Sequence, residues 1–355
     1  MADTRLRLPS IDDYLGPGET RFFSRGYQRA DYRVRDIAVN ASQGPDPCVR
    51  ARLDVGYPPG WSTKAGVDQR PHLSTVDALV LGVQLVELHL AHAYGLPAAA
   101  RARTRLRKAV LRAGGVPQED LLGIPLSAGL VKTENVPGAP SPFLSVYACS
   151  VGNLQVRCEI EHPMGIWEPV EAEYDSLDDV LGPGDRRFYG EGFKARRHHI
   201  QDVRVDMDTF TARGDVHFVP EPDPANQGID GALHPSVTFV DAFVVNLQLV
   251  QILMYELDSL TRADSNTLWM MRTVLEAPAA PPPLPDHPDL ALPAEATLTE
   301  KRLLPLRGGT WRSVDIEAGL AGIGLRCGFA HELPPHAAAA ASTPTSTPTS
   351  TSTST

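Results

Sequence analysis

Hydrophobic and polar positions alternate along several short segments of the chain, and these segments flank two longer apolar stretches. Residues from Val49 to Val55 alternate apolar and charged, as in a strand with one buried face. The stretches from Val76 to Leu90 and from Val240 to Met254 are too long for a strand and are apolar nearly all round. Such a helix is buried on every side, so each stretch predicts a central helix wrapped by sheet.

An internal repeat divides the chain. The segment SIDDYLGPGETRFFSRGYQRADYRVRDIAV from Ser10 recurs from Ser176 with 12 identical positions in 30. The two apolar stretches match as well, since Asp77 corresponds to Asp241 and Gln84 to Gln248. The two copies are 166 residues apart, since they start at Ser10 and Ser176. This spacing is far above the period of solenoid repeats, so it indicates a duplicated domain.

The order of elements within each copy predicts the fold class. Strands come first, one buried helix follows, and further alternating strands close the copy. This order predicts an α+β fold, a tandem double hot-dog with two antiparallel sheets each wrapped round a central helix. We expect domain 1 at residues 1–170 and domain 2 at residues 171–335. Residues 336–355 are mostly Ala, Ser, Thr and Pro and predict a disordered tail.

Charge and composition exclude several classes of function. The chain of 355 residues has 33 basic and 43 acidic residues, a formal charge of -10, which repels nucleic acid and anionic lipid. We therefore expect neither a nucleic acid nor a membrane as partner. The first residues lack the apolar run of an export signal, which favours a cytoplasmic protein. The four cysteines have no CxxC spacing, so the sequence indicates neither a zinc site nor a disulfide framework.

Three segments carry a family resemblance: SIDDYLGPGETRFF, YPPGWSTKAG and PHLSTVDALVLGVQLVE. With them the sequence resembles the AvrD family, whose members direct synthesis of the acylated-sugar elicitors called syringolides. That family is more distantly similar to A-factor synthases of the AfsA type, which have paired hot-dog domains and make γ-butyrolactone signals.

The resemblance implies an acyltransferase of secondary metabolism. It would move a 3-oxoacyl chain from an acyl carrier protein or CoA thioester to a hydroxyl of a small sugar or hydroxyketone such as xylulose. No metal or other cofactor is expected, and the protein would be a monomer or a homodimer. A hot-dog thioesterase or dehydratase, or a non-catalytic binder of fatty-acid-derived signals, remains an alternative.

Candidate catalytic residues cluster at the start of each central helix. His72 precedes Asp77 in the first copy, and His234 precedes Asp241 in the second. An imidazole beside a carboxylate can take a hydroxyl proton, and the free amides of a helix start favour the negative charge that develops on a carbonyl. Each aspartate also follows a Ser or Thr at capping-box spacing, so it could equally serve only as a cap.

Four further residues are candidates for substrate binding. Gln84 and Gln248 lie seven positions beyond the aspartates, two helical turns along the same face, where they could bind a carbonyl or a sugar hydroxyl. The first copy alone has a loop in which Trp61 could stack on a sugar and Lys64 could meet a phosphate or carboxylate. The alternative for this loop is a surface turn anchored by the tryptophan.

Two groups of arginines have different expected roles. The segment RARTRLRKAVLR predicts a basic helix ending at Gly114, and acyl carrier proteins are acidic, so the segment is a candidate docking strip or else a solvated face. Its basic residues are Arg101, Arg103, Arg105, Arg107 and Lys108, followed by Arg112. Arg21 and Arg187 of the repeated motif are expected to brace the fold by pairing with carboxylates.

Overall fold

The computed structural model describes residues 5–40, 47–136, 141–168, 171–265, 268–278, 284, 290–306 and 308–342. Its helices are α1 (Asp12–Leu15), α2 (Thr75–Ala93), α3 (Ala98–Ala102), α4 (Asp178–Leu181), α5 (Phe239–Asp258) and α6 (Pro335–Ser342). The first half contains strands β1 (Arg5–Ser10), β2 (Asp31–Val39), β3 (Val49–Gly56), β4 (Thr63–Lys64), β5 (Val67–Asp68), β6 (Arg105–Arg112), β7 (Ile124–Asn135), β8 (Phe143–Val151) and β9 (Leu154–His162). The second contains β10 (Ala172–Tyr174), β11 (His198–Asp206), β12 (Thr211–Phe218), β13 (Trp269–Glu276), β14 (Leu292–Leu306), β15 (Gly309–Leu320) and β16 (Ile323–Glu332).

Within the described ranges, fourteen strands form one continuous antiparallel sheet. Their order is β1-β11-β12-β14-β15-β16-β13-β6-β9-β8-β7-β3-β2-β10, and β4 and β5 form a separate hairpin. The order reads the same from either end once equivalent strands of the two copies are matched. The halves meet where β6 pairs with β13, with Thr273 opposite Leu111.

The two predicted central helices form the core. Every residue from Val76 to Leu90 is buried, and α2 packs on β3, β6, β7, β8 and β9 of its own half. Helix α5 packs likewise on β11, β12, β14, β15 and β16. Both helices are long and apolar enough to cross a membrane, but 89% and 83% of their most apolar windows are buried inside the protein. The fold is therefore α+β, a double hot-dog, as predicted.

The first strand of each repeat belongs to the sheet of the other half. Strand β1 pairs with β11, where Leu6 lies opposite Val205 and Leu8 opposite Val203. Strand β10 pairs with β2, where Tyr174 lies opposite Ile37. The repeated motif that follows each strand is thereby carried across the molecule, and it packs against the central helix of the opposite copy.

An aspartate that is identical in both repeats marks a β-bulge. Asp36 in β2 and Asp202 in β11 have φ values of 52° and 46°. The register of each strand shifts at this point, between Arg35 and Ala38 in the first copy and between Gln201 and Arg204 in the second. Aspartate adopts the left-handed conformation more readily than most residues, and this preference accounts for its presence at both bulges.

Part of the predicted disordered tail, residues 336–355, forms a helix. Helix α6 runs through Pro335–Ser342, and Ala337 is only 3% exposed against the core. A run of alanines has the highest helix propensity, which explains this helix. Residues 343–355 lie outside the described residues.

The predicted basic helix from Arg101 is wrong. Helix α3 ends at Ala102, and the segment continues as strand β6 in the middle of the sheet. Leu106, Ala109 and Leu111 are its buried positions, and a register shift between Leu106 and Lys108 breaks the simple alternation of a strand.

The docking strip predicted on that helix is not formed either. Arg101 is buried and pairs with Glu87, while Arg107 pairs with Glu161 and Lys108 with Glu276. Arg105 donates to the carbonyl oxygen of Pro278, and Arg103 is exposed. The five basic side chains therefore do not share one exposed face.

A buried histidine within α2 makes the fold sensitive to acid. His89 is fully buried, accepts or donates a hydrogen bond at 2.9 Å with the Tyr147 hydroxyl, and lies near His92 and His162. Burial, with the two neighbouring imidazoles, lowers the pKa of His89 to about 4. Stability from this neutral histidine is complete above about pH 6.5, where the unfolded side chain titrates, and is lost as the pH falls toward 4.

We therefore expect the free energy of unfolding to fall by roughly 2 kcal/mol between pH 7.5 and pH 5 from His89 alone. Urea titrations at the two pH values measure this difference. His89→Gln removes the titrating group and should reduce the difference by that amount, while His199→Gln, at an exposed position, should not. An unchanged pH difference in His89→Gln would contradict the assignment.

Candidate functional site

The crossed motifs place one arginine from each copy against the central glutamine of the other. Arg187 donates from Nη1 to Oε1 of Gln84 at 3.4 Å, and Arg21 donates from Nη1 to Oε1 of Gln248 at 2.8 Å. The same guanidinium groups pair with Asp178 and Asp12 of their own motifs. The expected carboxylate pairing of these arginines is present, and each arginine also connects the two copies.

Two equivalent cavities accompany these contacts. Cavity one has a volume of about 380 Å³, and its lining includes Tyr32, Gln84, Asp178, Asp185, Arg187 and Glu191. Cavity two has a volume of about 90 Å³, and its lining includes Asp12, Glu19, Arg21, Arg25, His198 and Gln248. Gln84 and Gln248, predicted as substrate-binding residues, therefore lie in the walls of the two cavities. The larger cavity is formed by the helix of the first copy and the motif of the second.

The start of α2 is closed by its own cap. The Ser74 backbone N–H donates to Oδ2 of Asp77 at 2.7 Å, and the Asp77 N–H donates to Oγ of Ser74 at 3.1 Å. Tyr32 donates its hydroxyl to Oδ1 of Asp77 at 2.6 Å, and Tyr57 donates to Oδ2. Asp77 thus caps the helix, and through Tyr32 it is also linked to the lining of cavity one.

Burial raises the pKa values of both the Asp77 carboxyl and the Tyr32 hydroxyl. Asp77 is 0% exposed, and burial raises the pKa of its carboxyl, opposed by the hydrogen bonds from Tyr32 and Tyr57. Burial and the neighbouring carboxylate raise the pKa of Tyr32 well above its usual value. Tyr32 therefore keeps its hydroxyl proton at neutral pH, and the Asp77 carboxylate is more basic than an exposed one.

His72 does not join Asp77 as predicted. In the described structure its Nδ1 lies 3.1 Å from the carbonyl oxygen of Arg70, and its ring meets the edge of Trp61 with centroids 5.9 Å apart. The two tyrosines occupy the side of Asp77 where the imidazole was expected. Tyrosine hydroxyls, and not a histidine, therefore donate to this carboxylate beside the Ser74 backbone N–H.

The start of α5 is likewise capped. The backbone N–H of Thr238 donates to Oδ2 of Asp241 at 2.9 Å, and Nε of Arg196 lies 3.6 Å from Oδ1 of the same carboxylate. The predicted pairing of His234 with Asp241 is replaced by this arginine. The His234 ring packs on Phe188 at 4.7 Å, and burial together with Arg196 lowers the pKa of His234 to about 3.

The loop predicted to bind a sugar serves to join the halves. Trp61 is 3% exposed and donates its indole N–H to the Gln69 carbonyl oxygen at 2.9 Å, so its ring has no face for a sugar, and the predicted stacking is wrong. Lys64 donates to the carbonyl oxygen and the hydroxyl of Ser265 at 3.0 and 3.2 Å. The predicted contact of Lys64 with a substrate anion is therefore replaced by a contact with the second copy.

Cavity one brings two residues that sequence reasoning proposed for the site, Gln84 and Asp77, together with partners that it did not assign there. Arg187 and Gln84 are polar groups able to stabilise negative charge on a carbonyl oxygen. Tyr32 and Asp77 form a hydroxyl–carboxylate pair able to take a proton. Tyr32 was missed because its counterpart in the second repeat is His198, so the repeat gives no identity at that position. The identity of Arg21 with Arg187 was the available signal for the arginine.

Comparisons of structure show low sequence identity. A putative thioesterase II from Thermobifida fusca YX superposes with a TM-score of 0.35 and 11% identity over 89% of this chain and 98% of that chain. The 12:0-ACP thioesterase from Umbellularia californica has a TM-score of 0.35 and 11% identity over 90% and 98%. A conserved hypothetical protein from Mycobacterium tuberculosis, described as a double hot-dog fold, has a TM-score of 0.35 and 12% identity over 75% and 95%.

Comparisons of sequence identify the family. No curated protein matches the chain in sequence. The profile described as Pseudomonas avirulence D protein (AvrD) matches residues 6–334, which is nearly the whole chain. The protein is therefore a member of the AvrD family.

Proposed function

We propose that the protein transfers a 3-oxoacyl chain from an acyl carrier protein or CoA thioester to a hydroxyl of a small, uncharged sugar or hydroxyketone such as xylulose. The product would be the acyl ester from which a syringolide- or butyrolactone-like signal is built. The observation that carries the proposal is the lining of cavity one, where Arg187 and Gln84 lie in the same cavity as Tyr32, whose hydroxyl donates to Asp77 behind it.

The proposed step uses only side chains of this chain. The acceptor oxygen attacks the thioester carbon, a C–O bond forms, and the hydroxyl proton passes to Tyr32 as the Tyr32 proton passes to Asp77. Arg187 and Gln84 stabilise the charge on the carbonyl oxygen. When the C–S bond breaks, the thiolate recovers the proton from Asp77 through Tyr32, so the enzyme returns to its starting state.

The charge of cavity one favours an uncharged acceptor. Three carboxylates, from Asp178, Asp185 and Glu191, line the cavity beside the single guanidinium of Arg187. Carboxylates accept hydrogen bonds from sugar hydroxyls but repel a phosphate group. We therefore expect a free sugar to be a better acceptor than its phosphate ester.

Product analysis tests the proposal. Incubation of the protein with a 3-oxoacyl thioester and xylulose should give an ester, detected by mass spectrometry, and xylulose 5-phosphate should give less ester under the same conditions. Free 3-oxo acid formed equally with and without the sugar would instead identify a thioesterase. Saturable binding of the thioester with no turnover would identify a non-catalytic binder.

A further inference from the structure

Cavity two is the counterpart of cavity one in the other half, but its inner wall has different chemistry. The side chains of Arg21, His198 and Gln248 at this wall are 3%, 6% and 1% exposed. The volume of about 90 Å³ is several times the ~10–15 Å³ that a single water molecule needs. The cavity therefore has room for a small polyatomic ligand.

The hydrogen bonds of Gln248 fix the proton on His198. A guanidinium only donates, so the amide oxygen of Gln248 faces Arg21 and its NH₂ group faces Nε2 of His198 at 3.3 Å. Since that NH₂ group cannot accept a hydrogen bond, the imidazole proton of neutral His198 lies on Nδ1. Burial and nearby cationic groups lower the pKa of His198 to about 3, which keeps the ring neutral.

Several donors around this cavity have no acceptor. Nδ1 of His198 and Nε of Arg21 are buried and have no hydrogen-bond partner among the described residues. The guanidinium of Arg25 is half-buried, and within the same ranges it has neither a hydrogen bond nor an ion pair. Burial and the charge of Arg197 lower the pKa of Arg25, opposed by the charges of Glu19 and Asp12 and by Tyr27.

The carboxylates of cavity two do not accept hydrogen bonds from these unpaired donors. Asp12 and Glu19 are both exposed, and Asp12 is paired with Nη2 of the Arg21 guanidinium, not with Nε. Unpaired buried donors are costly, because they lose hydration without gaining an acceptor. A ligand that supplies several acceptor oxygens and a negative charge would satisfy all three groups.

The matching positions of cavity one lack this arrangement. Nε of Arg187 donates to the Gly182 carbonyl oxygen at 3.1 Å, so its donor is satisfied. Tyr32 stands where the second copy has His198, and Glu191 stands where the first has Arg25. The two cavities therefore differ in charge: cavity one has the acidic Glu191 where cavity two has the basic Arg25.

We propose that cavity two binds a tetrahedral oxyanion of the phosphate class, held by Arg21, Arg25 and Nδ1–H of His198. This site lies outside the cavity of the proposed reaction, and its existence does not depend on that reaction. Inorganic phosphate is the simplest ligand with the required size, charge and acceptor oxygens.

Calorimetric titration of the full chain with inorganic phosphate in chloride buffer tests the site. Saturable binding is expected, with competition by sulfate and none by added chloride at equal ionic strength. Arg25→Glu, which introduces the residue type found in cavity one, should weaken binding at least about tenfold, the effect of losing a charge-assisted contact of about 1.4 kcal/mol or more. His198→Tyr should weaken binding as well.

Arg204→Glu is the matched control, because it makes the same charge change at an exposed position of strand β11. It should alter the phosphate affinity less than about twofold. Circular dichroism of each variant checks folding, and Arg25→Glu suffices if His198→Tyr does not fold. The proposal is overturned if the unaltered protein shows no saturable phosphate binding, or if Arg204→Glu weakens binding as much as Arg25→Glu.

Discussion

Tyr32→Phe is expected to lower kcat for acyl transfer by about 100- to 10,000-fold, the usual contribution of a positioned acid or base. The substitution keeps the ring in the wall of cavity one and removes only the hydroxyl that donates to Asp77 at 2.6 Å. Without that hydroxyl, the proton of the acceptor has no path to the buried carboxylate. Steady-state kinetics with a 3-oxoacyl thioester and xylulose measure the effect, and the Michaelis constant for the thioester should change little.

Tyr57→Phe provides a matched control for that experiment. Tyr57 also donates its hydroxyl to Asp77, but it does not line cavity one in the described structure. Each variant removes one hydrogen bond to a carboxylate, so both should lose a similar stability of about 1.5–3 kcal/mol. Only Tyr32→Phe should lose most of its activity. Equal losses of activity would mean that the tyrosines merely hold the helix cap, and the proton path would be wrong.

The double hot-dog could be predicted from the sequence because its determinants are local and occur twice. A helix that is apolar on every side can only lie inside a sheet, and both copies contain one, at Val76–Leu90 and Val240–Met254. The capping boxes at Ser74 and Thr238 were also visible as short-range patterns, and both are formed. Local periodicity therefore identified the helices and their starts correctly.

The exchange of strands between the copies could not be predicted in the same way. Strands β1 and β10 would satisfy the same alternation against either half, because the two halves of the sheet are built from the same repeat. The crossing nevertheless decides which residues meet, since it brings Arg187 to Gln84 and Arg21 to Gln248. Sequence reasoning found the glutamines and missed their partners for this reason.

The error at Arg101 has a different physical cause. Five arginines and a lysine in twelve residues resemble an exposed helix, and the register shift within β6 disrupts the period-two signal that marks a strand. Ion pairs with Glu161 and Glu276, which lie on neighbouring strands, then accommodate the charges on the sheet. Neither partner is close in sequence, so composition alone favoured the wrong element.

Arg101→Met is expected to destabilise the protein by about 3–5 kcal/mol, since it leaves a buried charge without its partner. Arg101 donates to Oε1 of Glu87 at 3.1 Å, and the two side chains are 7% and 1% exposed. It also donates to the carbonyl oxygens of Leu96 and Leu181. Burial raises the pKa of Glu87, opposed by the charges of Arg187 and Arg101, so loss of Arg101 should raise it further. Urea unfolding followed by fluorescence measures the change.

The pairing with Glu87 predicts how this loss can be reversed. Glu87→Gln removes the carboxylate that Arg101→Met leaves unpaired. The double variant Arg101→Met/Glu87→Gln should therefore be more stable than Arg101→Met alone, although it remains less stable than the unaltered protein. The loss in Arg101→Met should also be smaller at pH 5.5 than at pH 8, because an unpaired Glu87 takes up a proton more easily. Arg103→Met, two residues away and exposed, should cost less than about 0.5 kcal/mol. If Arg101→Met and Arg103→Met lowered the free energy of unfolding by the same small amount, Arg101 would be a surface residue in solution. The contact of α2 and α3 with the second repeat would then have to be arranged differently.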